Sequence, residues 1–204
     1  MERIKCIGGK LYAFTPRITD TLTAQWLSQQ AFDAEKDNEP DNALELYHRA
    51  LSYDSSLAMA WINIGTIHFH WQDFVMAEEC YRKALAINPK YATAQFNLAN
   101  ALEEQKQFQE AVEHYCKAVA LDPHYPDAHY NLALIYMRMG EERKAIKHFR
   151  LYLHCQNSDD EAWVNEARRN IQRLSQKIGI GIVRKDPVSI TVVPREPFKI
   201  QSPK

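Results

Sequence analysis

The sequence predicts an all-α fold: a right-handed α-solenoid of four stacked helix pairs, closed by a C-terminal capping helix. Three observations predict it. Small and aromatic residues recur every 34 positions: Ala43, Ala77, Ala111 and Ala145; Tyr47, Tyr81, Tyr115 and Phe149; Ala50, Ala84 and Ala118; Pro89 and Pro123. Only 6 glycines among 204 residues disfavour a turn-rich barrel or sandwich. A composition that is 46% hydrophobic and 25% charged, with a formal net charge of −1, excludes a disordered chain and argues against a basic nucleic-acid binder.

Each unit reads as two helices. In the first half of one unit, Trp61, Ile64, Gly65 and His68 keep to one helical face, and in the second half Ala77, Tyr81, Ala84 and Leu85 do the same. Polar breaks such as Gln72-Asp73 and Met139-Gly140 separate the halves. Ala77 and Ala84 let two helices approach closely, and the aromatic at 81 fills the space beside them. Pro89 and Pro123 end the second helix and set the turn into the next unit.

These slots resemble the tetratricopeptide repeat family. They are Trp61, Ile64, Gly65, Ala77, Tyr81, Ala84 and Pro89; then Leu98, Ala99, Ala111, Tyr115, Ala118 and Pro123; then Leu132, Ala133, Tyr136, Ala145 and Phe149. The resemblance covers about residues 24 to 157, with four units expected over 21–157. The outer units depart from the pattern, with Gln30 and Pro40 in apolar and aromatic slots of the first, and Tyr152 and Asn157 in small-residue and proline slots of the last. Such departures are common in terminal repeats. A capping helix is expected over 158–178, opened by the capping box Ser158 to Glu161. Its apolar stripe is Trp163, Ala167, Ile171, Leu174 and Ile178, opposite Arg168, Arg169, Arg173, Gln176 and Lys177. Residues 1–20 read as a β-hairpin about Gly8-Gly9, and 179–204, with four prolines, as an extended tail with a short strand near Ser189 to Val193.

No export signal is visible at the start, and the uncharged window Ser55 to Gln72 is too polar to span a membrane. The cysteines Cys6, Cys80, Cys116 and Cys155 stand far apart without a C-x-x-C pair, which fits reduced thiols in a cytoplasmic protein. There is no G-x-G-x-x-G, phosphate loop, G-x-S-x-G or H-E-x-x-H, and the carboxylates are expected on solvent faces, so neither catalysis nor a cofactor is expected. His114 and His148, one period apart, are read as surface or inter-repeat residues rather than a metal pair.

The candidate surface is the inner face lined by the first helix of each pair. One slot there holds Gln29, Asn63, Asn97, Asn131 and Asn165. Each amide has an acceptor oxygen and two donor hydrogens, a match for the main chain of an extended peptide. The row resembles the asparagine ladder of the O-GlcNAc transferase repeats; the same residues could instead bond neighbouring helices. Phe32, Ile62, Phe69, Phe96, Asn100, Tyr130 and Met137 would add apolar or amide contacts, and Glu35, His70, Glu103, Glu104, Asp127 and Arg138 charges. Five hydrogen bonds and a few apolar contacts suggest a micromolar affinity, about −7 to −8 kcal/mol. The inner slots that hold a peptide carboxylate in some co-chaperone repeats contain Ser28, Phe32, Thr93 and Asn97, with no cation among them. In the cluster His68 to Trp71, His68 and Trp71 read as core and Phe69 and His70 as exposed.

The expected function is a protein-interaction scaffold or adaptor holding an extended peptide, with protein or peptide partners and without direct nucleic-acid or membrane binding. The alternative is the repeat half of a MerR-type transcription regulator, which segments such as 128–149 resemble; no helix-turn-helix precedes the hairpin. Charge is unevenly spread. Residues 1–24 carry four basic and two acidic groups, 175–204 six and two, and the repeats between them 15 and 22. An acidic inner surface could therefore draw in a basic partner segment or the chain's own tail.

Overall fold

The structure is a computed structural model that describes residues 3–7, 10–14, 18–155 and 161–179. The Gly8-Gly9 turn, the Ser158 capping box and the expected tail strand lie outside the described residues. The chain divides into two compact units, the second beginning at Tyr91.

In the first unit, β1 (Arg3–Ile7) pairs antiparallel with β2 (Lys10–Phe14), Arg3 opposite Phe14 and Ile7 opposite Lys10. Two helix pairs follow: α1 (Ile18–Lys36) with α2 (Pro40–Tyr53), and α3 (Ala58–His70) with α4 (Phe74–Ile87). Their shared core is built from Ala31, Ala43, Tyr47, Leu51, Ala60, Ile64, Ile67 and Cys80. Burial pushes the Cys80 thiol up to about 11, so it stays protonated and packs as a small apolar group. The second unit holds α5 (Ala92–Glu104) with α6 (Phe108–Leu121), α7 (Pro126–Arg138) with α8 (Glu142–Cys155), and α9 (Glu161–Lys177) against α8. Ala99, Ala111, Ala118, Ala133 and Ala145 are fully buried between these helices, and Tyr115 and Phe149 fill the gaps beside them.

Two turns repeat with the sequence period. Within each pair the first helix ends in a Schellman motif. The Gln72 N–H donates to the Phe69 carbonyl and the Asp73 N–H to the His68 carbonyl, both at 2.9 Å, with Gln72 at φ 63°. Asn38, Lys106 and Gly140 occupy the same left-handed position, so only one of the four turns has the residue that adopts it without steric penalty. Between the helices of successive pairs, an Asx turn recurs. The carboxylate of Asp54, the amide oxygen of Asn88 and the carboxylate of Asp122 accept the N–H two residues on, at 2.9, 3.0 and 3.0 Å.

Several expectations are corrected. Trp71 is not core: it caps α3 and is 44% exposed, its indole edge-on to the His68 ring. The buried face of α9 is rotated from the expected stripe. Ala167 and Leu174 are buried as expected, but Asn170 and Ser175 join them and Trp163 is 51% exposed. No helix among the described residues is long and apolar enough to cross a membrane.

Candidate peptide-binding surface

In the second unit, α5 carries Phe96, Asn97, Asn100 and Glu103 along one stripe, and α7 carries Tyr130, Asn131 and Arg138. Tyr115 of α6 reaches between them, its ring fully buried. Burial and then the Glu103 carboxylate hold its phenol well above the ordinary tyrosine range, so the hydroxyl keeps its proton. That single proton faces two acceptors, Asn100 Oδ1 at 2.5 Å and Glu103 Oε2 at 2.9 Å. The hydroxyl oxygen in turn accepts from Asn131 Nδ2 at 3.2 Å, and Asn131 Nδ2 also donates to Asn100 Oδ1 at 3.0 Å. The Arg138 guanidinium closes the network on Glu103 Oε1.

The first unit repeats the motif with fewer members. Asn63 Nδ2 donates to the Tyr47 hydroxyl at 2.7 Å, and that hydroxyl donates to Glu35 Oε1 at 2.5 Å. Burial raises the Glu35 carboxyl above its ordinary value, opposed by the Tyr47 hydrogen bond and by His70. An asparagine on the first helix of one pair thus bonds a tyrosine on the second helix of the preceding pair, and the tyrosine bonds a carboxylate. The expectation that carboxylates sit on solvent faces fails at Glu35 and Glu103, which are half-buried. A carboxylate twelve residues before each tyrosine was the sequence signal for this arrangement, and the hydroxyl was the missing link.

The amide slot is therefore not uniform. Asn63 and Asn131 already give N–H groups to tyrosine and keep their Oδ1 atoms. Gln29 donates to Asp33 at 3.2 Å. Asn165, exposed on α9, faces Arg168 at 3.4 Å. Asn97 is half-buried and makes no side-chain hydrogen bond among the described residues, so its donors and acceptor are all available. Of the flanking residues, Phe32, Ile62 and Tyr130 are buried rather than presented as contacts. Tyr130 is covered edge-on by Phe149, Tyr152 and Trp163, which leaves Trp163 as the exposed aromatic there. Phe96 leans on Tyr115 and Tyr125, and Phe69 on Phe74 and His70; both remain half-buried. Met137 contacts Arg173, and His70, Glu104 and Asp127 are exposed.

A second polar cluster lies within the α7–α8 pair. His129 Nε2 donates to the Pro123 carbonyl at 3.1 Å, which leaves its Nδ1 to accept from His148 Nδ1–H at 3.1 Å. This pattern makes His129 a neutral ring that donates at Nε2 and accepts at Nδ1. Burial lowers the pKa of both histidines, and His129 and Lys147 add to the effect on His148, which falls to about 4. The unfolded chain binds these protons near the ordinary value, so stability is fully present above about pH 6.5 and is lost as pH falls towards 4. Thermal melts from pH 7.5 to 4 should show this decline, and His148→Phe should flatten it; an unchanged slope would contradict the assignment. His114 is also buried, its Nδ1 2.6 Å from Gln95 Oε1. Among the described residues no cluster of three or more His, Cys, Asp or Glu side chains could hold a metal ion.

Tetratricopeptide repeat profiles match residues 58–91, 80–113 and 127–154, and a TPR repeat profile matches 100–140. No curated protein sequence matches the chain. Among solved structures, the fold is similar to a crystal structure of MamA protein, with TM-score 0.68 and 22% identity over 78% of this chain and 84% of that one. It is similar to Pseudomonas aeruginosa pilF, with TM-score 0.64 and 20% identity over 76% and 75%. It is also similar to the first TPR of Spaghetti bound to the HSP90 peptide SRMEEVD, with TM-score 0.57 and 22% identity over 59% and 95%. The 34-residue slots, the paired helices and the matched profiles together show that the chain belongs to the tetratricopeptide repeat family.

Proposed function

We propose that the protein is a non-enzymatic interaction module that holds an extended segment of a partner protein on the first-helix face of its repeats. The observation that carries this reading is the half-buried amide of Asn97, which makes no side-chain hydrogen bond among the described residues and shares α5 with Phe96 and with Asn100 of the Asn100–Asn131–Tyr115 network. An amide with all its donors and its acceptor available can pair with both main-chain groups of an extended peptide residue. Asn131, anchored by Asn100 and Tyr115, contributes its Oδ1 to a peptide N–H. Asn63 plays the same part in the first unit. Gln29 holds the slot in α1 of the first unit, Asn165 holds it in α9 of the second, and Arg138 sets charge at the end of α7. The first TPR of Spaghetti, similar in fold, is bound to a peptide, which supports peptide binding at the coarser level. The absence of a cation at Ser28, Phe32, Thr93 and Asn97 favours main-chain recognition over capture of a terminal carboxylate.

The test is peptide selection from a random display library, followed by affinity measurement with the selected peptides. Asn97→Ala should weaken binding roughly five- to tenfold, the value of one or two hydrogen bonds. Its circular dichroism and melting temperature should be unchanged, because the Asn97 side chain makes no hydrogen bond among the described residues. N-methylation of the peptide backbone at one position should remove the Asn97 effect. Full affinity in Asn97→Ala would sink the reading.

A further inference from the structure

The end of the second unit differs from the acidic repeats before it. Helices α8 and α9 carry eight Lys and Arg against three Glu. Some of these cations are compensated: Lys144 lies 3.4 Å from Glu141, and Lys177 lies 2.5 Å from Glu142. Arg143, Lys147 and Arg150 make no ion pair among the described residues. At i, i+4 and i+7 they share one face of α8 and span roughly 10 Å along its axis. That face opens into a cleft of about 400 Å³ between α8 and α9, lined by the three cations, by Ile146 and Leu151, and by Ser175 of α9. Ser175 is 3% exposed, and its hydroxyl makes no hydrogen bond among the described residues. This hydroxyl borders a cleft ringed by uncompensated positive charge.

We propose that this cleft binds a phosphate-bearing ligand with an apolar body. The charges decide for phosphate over carboxylate. A dianion offsets more of three uncompensated cations than a monocarboxylate does, and its oxygens accept two-pronged bonds from the Arg143 and Arg150 guanidinium groups. Lys147 supplies a compact charge between them, and Ser175 a neutral donor from the opposite wall. Ile146 and Leu151 give the body of the ligand an apolar floor, and the volume lies within the range of small-molecule sites. The chain's own C-terminal segment is the wrong occupant, because residues 180–204 carry five basic and two acidic side chains. The cleft is separate from the peptide-binding surface and does not depend on that reading.

The experiment titrates the full chain with phenyl phosphate, benzoate and inorganic phosphate, following backbone amides of α8 and α9 by NMR. In parallel, it is mixed with phosphatidylcholine vesicles with and without phosphatidic acid. Phenyl phosphate should saturate and perturb Lys147 and Ser175, more tightly than inorganic phosphate or benzoate. The triple variant Arg143→Gln, Lys147→Gln, Arg150→Gln should weaken it by tenfold or more, and Ser175→Ala by a smaller factor. A control, Arg168→Gln with Arg169→Gln, also removes positive charge from the α8–α9 region and should leave it unchanged. Vesicle binding that requires phosphatidic acid and is lost in the triple variant would identify a lipid headgroup as the source of the phosphate. Phenyl phosphate binding without vesicle binding would identify a soluble ligand. The proposal is overturned by benzoate binding as tightly as phenyl phosphate, by equal losses in the triple and control variants, or by no saturable binding of phenyl phosphate or vesicles.

Discussion

Tyr115→Ala is expected to destabilise the second unit by about 3–5 kcal/mol, the range for deleting a buried aromatic side chain. Tyr115 is fully buried, and its ring centroid lies 5.7 Å from that of Phe96. Its removal opens a cavity between α5, α6 and α7. Tyr115→Phe separates the ring from the hydroxyl. It keeps the packing but strips Asn131 of one acceptor, and Asn100 and Glu103 of their shared donor. Those three residues are half-buried, so water can replace part of what is lost, and about 1–2 kcal/mol is expected. Urea unfolding midpoints of the two variants, read by tryptophan fluorescence and by circular dichroism, check the difference. A Phe variant as stable as the parent would mean that the Asn–Tyr–Glu network orders the amide face without stabilising the fold. A Phe variant as damaged as Ala would make the hydroxyl, not the ring, the dominant contributor.

The legible part of the fold is the part fixed by burial. Ala77, Ala84, Ala111 and Ala118 recur because helices approach closely there, and all four are fully buried. The αL positions show the limit. Gly140 is a readable helix stop, but Asn38, Gln72 and Lys106 occupy the same conformation with side chains that do not announce it. Local sequence does not reveal the turn where tertiary packing offsets the steric penalty of a non-glycine residue. The end helix was misread for a related reason. α9 docks chiefly on α8, with Trp163 edge-on to Tyr130 and Arg173 against Met137 of α7, and this docking rather than the apolar stripe leaves Trp163 half out while Asn170 and Ser175 turn in. At the candidate site, the recurrence of asparagine was legible from spacing, but its bonds were not. Asn131 and Asn97 occupy identical slots, yet one bonds Asn100 and Tyr115 while the other has no partner among the described residues. Period alone assigns both the same role, and the difference lies in which polar atoms tertiary packing brings within reach.

Gly65→Ala is expected to lower stability by about 1–3 kcal/mol, the cost of overpacking a close-fitted interface. A methyl at residue 65 would stand 2.7 Å from Tyr81 Cε1 and 2.9 Å from Cδ1, well inside van der Waals contact. The ring cannot swing aside cheaply, because Tyr81 is 2% exposed and its hydroxyl lies 3.4 Å from Thr66 Oγ1. The sign is informative, since alanine in a helix interior is otherwise favoured over glycine by about 1 kcal/mol. Gly140→Ala gives the contrast. A Cβ there meets no atom within 4 Å, so any loss comes from the backbone at φ +73° and should be about 1 kcal/mol. The cause can be isolated in a double-mutant cycle. In a Tyr81→Leu background the clash at 65 is relieved, and Gly65→Ala should become neutral or stabilising, with a coupling energy of about 2 kcal/mol. Strict additivity of the two substitutions would show that the glycine is required for some reason other than the approach of the Tyr81 ring. A positive coupling would tie the small residue in α3 to the aromatic that recurs one period before Tyr115, the contact that sets how closely the two helices of this pair can approach.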